Sequence, residues 1–74
     1  MNEVFATRIK ELREKQRKSR IVVSHLCGLN SDAFRKYERM ERSPSADALV
    51  AIADYFEVSV DYLLGLSTDK RRRD

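Results

Sequence analysis

The 74-residue chain has few of the residues that build tight turns, cross-links and membrane spans. Two glycines and one proline provide little turn material for a strand-rich fold, so a compact helical bundle is the predicted class. The single cysteine, Cys27, excludes an internal disulfide and favours a reducing, cytoplasmic setting. No apolar run approaches the ~20 residues that span a bilayer, and no signal peptide is recognised.

Charge is distributed unevenly along the chain, although the net charge is only +3. Residues 1–43 carry eleven Lys/Arg against six Asp/Glu, whereas residues 44–69 carry five acids and no basic residue. Four basic residues and one acid follow in residues 70–74. This asymmetry indicates that one face of the domain meets a polyanion, such as nucleic acid, while the other faces away. Chance segregation of charge in a short chain is the alternative.

Five short helices are predicted from apolar spacing and capping residues. Their expected ranges are residues 4–17, 20–27, 31–39, 46–56 and 60–64. The last four follow polar residues that suit a helix N-cap: Ser19, Asn30, Ser45 and Ser59. The expected inner-face residues of the second and third helices are Val23, Leu26, Cys27, Phe34 and Tyr37.

The second and third predicted helices are joined by the short turn Gly28-Leu29-Asn30. A turn this short forces the helices to cross steeply and leaves the third as a ridge with one exposed side. Such a ridge fits the major groove of duplex DNA, which is ~12 Å wide. The sequence predicts one helix-turn-helix domain over residues 1–66, followed by a basic, flexible tail over residues 67–74 that has no apolar anchor.

Several motifs in order resemble the phage repressor and Cro-like (XRE-type) helix-turn-helix family. They are the Gly28-Leu29-Asn30 turn, Phe34-x-x-Tyr37-Glu38-Arg39, Pro44-Ser45, Leu49-x-x-Ile52-Ala53 and the stretch from Phe56 to Gly65. The resemblance covers residues 4–66. It implies an all-α, five-helix, lambda-repressor-like domain that inserts its third helix into the major groove. The expected function is sequence-specific binding of double-stranded DNA by a transcriptional regulator, preferentially a repressor.

The resemblance also implies roles for individual residues. Those expected to contact bases are Ser31, Asp32, Ala33 and Lys36. Those expected to contact phosphates are Ser19, Arg20, Arg35, Arg39 and Arg42. Arg13 and Glu38 match a structural ion pair between the first and third helices. Met40 and Glu57 replace the family's usual C-terminal glycines, so each must adopt a positive φ or cap its helix differently.

One such module contacts few base pairs, so a homodimer on a palindromic site is expected. The predicted dimer surface comprises Tyr55, Val58, Tyr62 and Leu66, which fall beside the apolar faces of the last two helices. The alternative for the two tyrosines is that they cover the edge of the core with their hydroxyl groups in water. The basic residues 70–73 are a possible DNA-contacting arm, or a solvated tail.

The main alternative function is a protein-interaction module on a helix-turn-helix fold that has lost DNA recognition. Asp32, Ile21 and Val22 favour it, whereas the eleven basic residues of the first half oppose it. Catalysis is not expected: His25 and Cys27 are two apart on a helix and point in different directions. Neither a phosphate-binding glycine loop nor a metal-ligand cluster is present in the sequence. The chain is therefore predicted to be a non-enzyme without metal or cofactor.

Overall fold

Five α-helices make up the regular structure of residues 3–72, the part of the chain that the computed structural model describes. They are α1 (Glu3–Lys15), α2 (Arg20–Leu26), α3 (Ala33–Glu38), α4 (Ala46–Phe56) and α5 (Val60–Leu64). No strand occurs within these residues. The predicted all-α class and the order of five helices are confirmed, and α4 has its predicted bounds.

Every helix contributes to one core. The largest fully buried apolar side chains are Phe5 and Ile9 of α1, Val23 of α2, Phe34 of α3, Ile52 of α4 and Leu63 of α5. Burial of each such side chain contributes about 1.5–3 kcal/mol relative to leaving it in water. Since the helices are only 5 to 13 residues long, this shared core and not intrinsic helicity holds them in place.

The predicted serine caps are present at α2, α4 and α5. The hydroxyl groups of Ser19, Ser45 and Ser59 each accept the backbone N–H three residues further on, at 3.0–3.1 Å. Met40 and Glu57 adopt positive φ angles of 58° and 57°, the first of the two options expected for them. Each left-handed non-glycine residue costs about 1–2 kcal/mol in backbone strain.

The start of α3 differs from the prediction. The helix begins at Ala33, not at residue 31, and Asp32 occupies the N-cap position in place of Asn30. The Asn30 carbonyl instead accepts the Ala33 N–H at 3.0 Å, which closes a tight turn before the helix. Ser31 therefore lies in this turn, one residue before the cap.

The inner face of α2 also differs from the prediction. Leu26 is half exposed, whereas Ser24 is completely buried. The Phe34 backbone N–H donates to Ser24 Oγ at 3.0 Å, so burial of this hydroxyl is compensated by a hydrogen bond. Cys27 is half-buried at the C-cap, and burial raises the pKa of its thiol to about 11.

Residues 67–72, predicted to form a flexible tail, make hydrogen bonds to the rest of the domain. The Ser59 N–H donates to the Lys70 carbonyl at 3.0 Å, and the Arg72 guanidinium donates to Asp54 Oδ1 at 2.5 Å. The prediction considered only apolar anchors, and these anchors are polar. Residues 73 and 74, the end of the predicted basic arm, lie outside the described residues.

Replacement of Gly65 by alanine is expected to destabilise the domain more than replacement of Gly28. Both glycines have positive φ, 81° and 75°, so alanine strains the backbone at either position. Only at Gly65 does a new Cβ also approach a neighbour, Val4 Cγ1, to 2.9 Å, whereas nothing lies within 4 Å at Gly28. We expect an excess loss of about 1 kcal/mol for Gly65→Ala in urea unfolding. The excess should become smaller in a Val4→Ala background, which removes Val4 Cγ1 but keeps Val4 Cβ at 3.2 Å. Equal losses at the two glycines would contradict this explanation.

Candidate nucleic-acid interface

The start of α2 and the start of α3 form one exposed surface. Together they line a shallow depression whose walls are Ser19, Arg20, Ile21, Ser31, Asp32 and Arg35. Five of these six residues, all but Ile21, were predicted to contact DNA. The fold brings them together from the starts of two helices. The exposed Ile21 side chain supplies an apolar part of the same surface.

A mostly buried ion pair holds α3 to α1. Arg13 donates through Nε and Nη2 to the two carboxylate oxygens of Glu38, at 2.8 and 3.0 Å. The side chains are only 13% and 6% exposed, and Arg13 Nη1 also donates to the Lys18 carbonyl. The hydrogen bond to Glu38 raises the pKa of Arg13, which therefore stays charged. The ion pair implied by the family resemblance is thus present, with the geometry of a bidentate pair.

The buried side of α3 is also held by aromatic packing and one buried hydrogen bond. The Phe34 ring lies 6.4 Å from the Tyr37 ring and 6.3 Å from the Phe56 ring, measured between centroids. Its backbone N–H is anchored on Ser24 of α2. The contact with Phe56 joins α3 to α4, and the hydrogen bond to Ser24 joins α3 to α2. The other side of the six-residue helix stays exposed.

The exposed side of α3 carries one acid and two bases in mutual contact. Lys36 Nζ lies 3.1 Å from Asp32 Oδ2, and Arg35 Nη2 lies 4.0 Å from the same oxygen. The hydrogen bond from Lys36 lowers the pKa of the Asp32 carboxyl, so this group is ionised at neutral pH. All three residues were predicted site residues, but their pairing was not predicted. Their i, i+3 and i, i+4 spacing could have indicated it.

Three of the predicted phosphate-contacting residues are exposed arginines. Arg20, which lines the depression, begins α2, and Arg42 lies in the loop after α3. Arg39 follows α3 directly, is 59% exposed in its side chain, and forms an ion pair with Glu41 at 2.9 Å. Exposed pairs of this kind contribute at most about 1 kcal/mol, so a phosphate can replace the carboxylate.

Three predicted site residues are buried in the structure, which does not favour the contacts predicted for them. Ala33, expected to contact a base, is 7% exposed and lies in the core. Val58 and Tyr62, expected on a dimer surface, are 4% and 7% exposed. The Arg8 guanidinium covers the Tyr62 ring at 4.2 Å from its centroid. For Tyr62 this burial favours the alternative of a residue at the edge of the core.

The other two residues of the predicted dimer surface remain accessible to different degrees. Leu66 is 74% exposed. Tyr55 is half-buried, and its hydroxyl donates to Gln16 Oε1 at 2.6 Å.

Between residues 3 and 72, no helix has both the length and the apolarity to cross a membrane. The same residues contain no group of three His, Cys, Asp or Glu side chains placed to hold a metal ion.

Comparison with known sequences supports the interpretation of this surface. A family described as Helix-turn-helix matches residues 9–63. Among curated proteins of Bacillus subtilis (strain 168), the HTH-type transcriptional regulator AnsR is 36% identical over 64 residues, covering 86% of this chain and 55% of AnsR. The uncharacterized HTH-type transcriptional regulator YobD is 30% identical over 66 residues, covering 89% of this chain and 59% of YobD. The chain thus spans about half the length of these curated relatives.

Two solved structures resemble the whole fold. The crystal structure of the P22 c2 repressor in complex with synthetic operator 9T superposes with a TM-score of 0.76 at 26% identity, covering 84% of this chain and 94% of that chain. The solution structure of the DNA-binding domain of the P22 c2 repressor gives a TM-score of 0.74 at 29% identity, covering 86% of each chain.

Proposed function

The chain belongs to the helix-turn-helix family, and from that premise we propose that it binds double-stranded DNA as a transcriptional regulator. The observation that carries the proposal is the rigidly held α3, whose exposed side lies beside the basic start of α2 in one continuous surface. The similar relatives are named transcriptional regulators, and one similar structure is a repressor bound to an operator. These likenesses do not favour the alternative of a protein-interaction module.

In the proposed complex, α3 lies in the major groove. The proposed base-contacting residues are Ser31 in the turn before α3, Asp32 at its N-cap and Lys36. Ala33 is left out because it is buried. Lys36 is the strongest candidate for guanine, whose O6 and N7 accept hydrogen bonds. The proposed phosphate-contacting residues lie at the start of α2, on α3 or just beyond α3: Ser19, Arg20, Arg35, Arg39 and Arg42. Arginine suits this role because its planar guanidinium can donate two hydrogen bonds to one phosphate.

We also propose a homodimer on a palindromic operator, repression by occlusion of promoter DNA, and a cytoplasmic, non-enzymatic protein. A six-residue α3 covers few base pairs, and two-fold dimers on half-sites ~34 Å apart extend the recognised sequence. The exposed Leu66 and the half-buried Tyr55 remain available for dimer contacts. Sedimentation at tens of micromolar tests the dimer. Monomers alone, with or without operator, would refute it.

The DNA-binding proposal is tested by selecting duplexes from a randomised pool at about 150 mM salt, followed by a salt titration on the enriched sequence. We expect an enriched palindrome with a steep salt dependence, since each neutralised phosphate contributes a slope of roughly −0.9. Lys36→Ala should weaken binding to this duplex by about 1–3 kcal/mol, or roughly 5- to 150-fold, by removing a base contact. Lys10→Ala removes the same charge from the exposed side of α1 and serves as the matched control.

Weak binding that is equal on all sequences, with no enriched duplex, would contradict this function. Equal losses for Lys36→Ala and Lys10→Ala would show that Lys36 contributes only general charge, and would remove it from the base-contacting set.

A further inference from the structure

The exposed surface of α3 contains an anion that DNA binding alone does not explain. Asp32 lies in the depression between α2 and α3, on the surface proposed to face the groove, and its carboxylate is ionised. Phosphates repel such a group at every position along a duplex. We propose that Asp32 is a specificity-determining residue. It weakens binding to non-cognate DNA by holding Lys36, and it releases Lys36 where a cytosine amino group takes the place of the ammonium. The proposal rests on the DNA-binding function above.

The geometry of the pair allows this exchange. Asp32 Oδ2 accepts a hydrogen bond from Lys36 Nζ at 3.1 Å, and the two side chains are 42% and 35% exposed. Arg35 lies further away, at 4.0 Å. Lys36 is thus the cation most closely restrained by the carboxylate, and both partners reach solvent from one side of α3. A pair this exposed is weak enough to open when a ligand competes for either partner.

The consequence for DNA without the matching base is electrostatic. With Asp32 ionised, Asp32, Arg35 and Lys36 carry a net charge of +1 instead of +2. A phosphate that approaches Lys36 must displace the carboxylate and is also repelled by it. Non-specific binding depends on the number of phosphates that cations neutralise, so a restrained Lys36 lowers it on every sequence.

The matching base reverses this effect. Cytosine presents its N4 amino group in the major groove, and carboxylates accept hydrogen bonds from that group. When cytosine N4 donates to Asp32, the carboxylate keeps a partner and Lys36 is free to donate to a neighbouring guanine or phosphate. One base pair thereby controls two contacts, so its effect on affinity exceeds that of a single hydrogen bond. A merely helix-stabilising role for the Asp32–Lys36 pair predicts no such coupling.

The test compares wild type with Asp32→Asn, which keeps the shape of the side chain and removes its charge. Fluorescence anisotropy gives Kd on the enriched duplex and on a scrambled duplex of equal length and composition, and the specificity ratio is the second Kd divided by the first. Asp32→Asn should bind the scrambled duplex about fivefold more tightly at 150 mM salt, with a slope steeper by roughly 0.9. The specificity ratio should fall by about tenfold or more.

A matched control releases a different cation. Glu41→Gln frees Arg39, which lies just beyond α3, from its ion pair. It should tighten binding to both duplexes equally and leave the specificity ratio unchanged. Single base-pair replacements should then identify one C·G pair whose loss weakens wild type by about tenfold. The same replacement should weaken Asp32→Asn clearly less, because its neutral amide oxygen can still accept from cytosine N4 but no longer forms an ion pair with Lys36.

An unchanged specificity ratio for Asp32→Asn, with wild type still selective, would overturn the proposal and leave the DNA-binding function intact. The same holds if Asp32→Asn and Glu41→Gln change the ratio equally. A wild-type protein that enriches no duplex would instead refute the DNA-binding function itself, so the two failures are distinguishable.

Discussion

Replacement of Glu38 by alanine is expected to destabilise the domain by about 3–5 kcal/mol, because it strands a buried charge. Arg13 loses both carboxylate hydrogen bonds, at 2.8 and 3.0 Å, and its side chain is only 13% exposed to water. Arg13 Nη1 still donates to the Lys18 carbonyl. Domains of this size have a free energy of unfolding of roughly 5–15 kcal/mol, so the loss removes a large part of it.

The measurement is thermal and urea unfolding followed by circular dichroism. For a domain of this length, a loss of at least 3 kcal/mol lowers the melting temperature by at least about 12 °C. Glu41→Ala is the control, because it also removes a glutamate bound to an arginine, but one in an exposed pair. Its effect should stay within about 0.5 kcal/mol. A melting temperature of Glu38→Ala equal to that of wild type would contradict the expected role.

A second variant separates the stranded charge from the loss of the pair itself. Replacement of both Arg13 and Glu38 by leucine leaves no unpaired charge, and apolar replacements of buried ion pairs are often neutral or stabilising. The double variant should therefore be more stable than Glu38→Ala. If the double variant is as unstable as the single one, the loss must come from packing or from the contact of Arg13 with Lys18, and not from the unpaired guanidinium.

The helix ends could be predicted from the sequence because each depends on a local group. A serine hydroxyl reaches the N–H three residues on whatever the rest of the chain does, which is why Ser19, Ser45 and Ser59 mark helix starts correctly. The start of α3 lacks such a group. The Asp32 carboxylate is near Lys36 and does not cap the helix. The predicted start of α3, residue 31, is therefore two residues before the observed start at Ala33.

The errors about burial share a physical cause. Adjacent helix residues differ by 100° around the axis, so a sequence pattern alone cannot distinguish the inner face from its edge. A rule that buries apolar residues chose Leu26 and missed Ser24, whose hydroxyl has its partner on another helix. The same rule placed Tyr62 on the surface, although the Arg8 guanidinium of α1 covers the Tyr62 ring. Both partners are distant in sequence, and only the assembled fold brings them together.

Some features of the candidate site could be predicted from local sequence, and others only from the family resemblance. The helix-turn-helix pattern predicted that Arg20, Ser31 and Arg35 share one surface, and they line the same depression. Their contacts with DNA stay a prediction. The ion pair of Arg13 with Glu38 joins residues 25 apart, so only the family resemblance indicated it. The contact of Asp32 with Lys36 is local, and its helical spacing was sufficient to predict it.

The second large effect is expected for Phe34→Ala, which should destabilise the domain by about 3–5 kcal/mol. Phe34 has no exposed surface and packs against Tyr37 and Phe56, so its removal leaves a cavity between α3 and α4. Its backbone N–H is also the donor to buried Ser24. Because the same residue supports α3 from the core side, the variant should lose DNA binding through unfolding and not through a changed contact.

Two further variants make this explanation testable. Phe34→Leu keeps most of the buried volume and should lose less than half as much stability as Phe34→Ala, while Val22→Ala removes an apolar side chain that is 45% exposed and should change stability by about 0.5 kcal/mol or less. Urea unfolding gives the three free energies. Duplex binding is then measured at a temperature where Phe34→Leu is fully folded. If Phe34→Leu is folded there but does not bind, Phe34 would have a role in recognition beyond stability. If Phe34→Ala unfolds like wild type, the aromatic contacts do not hold α3 as the structure indicates.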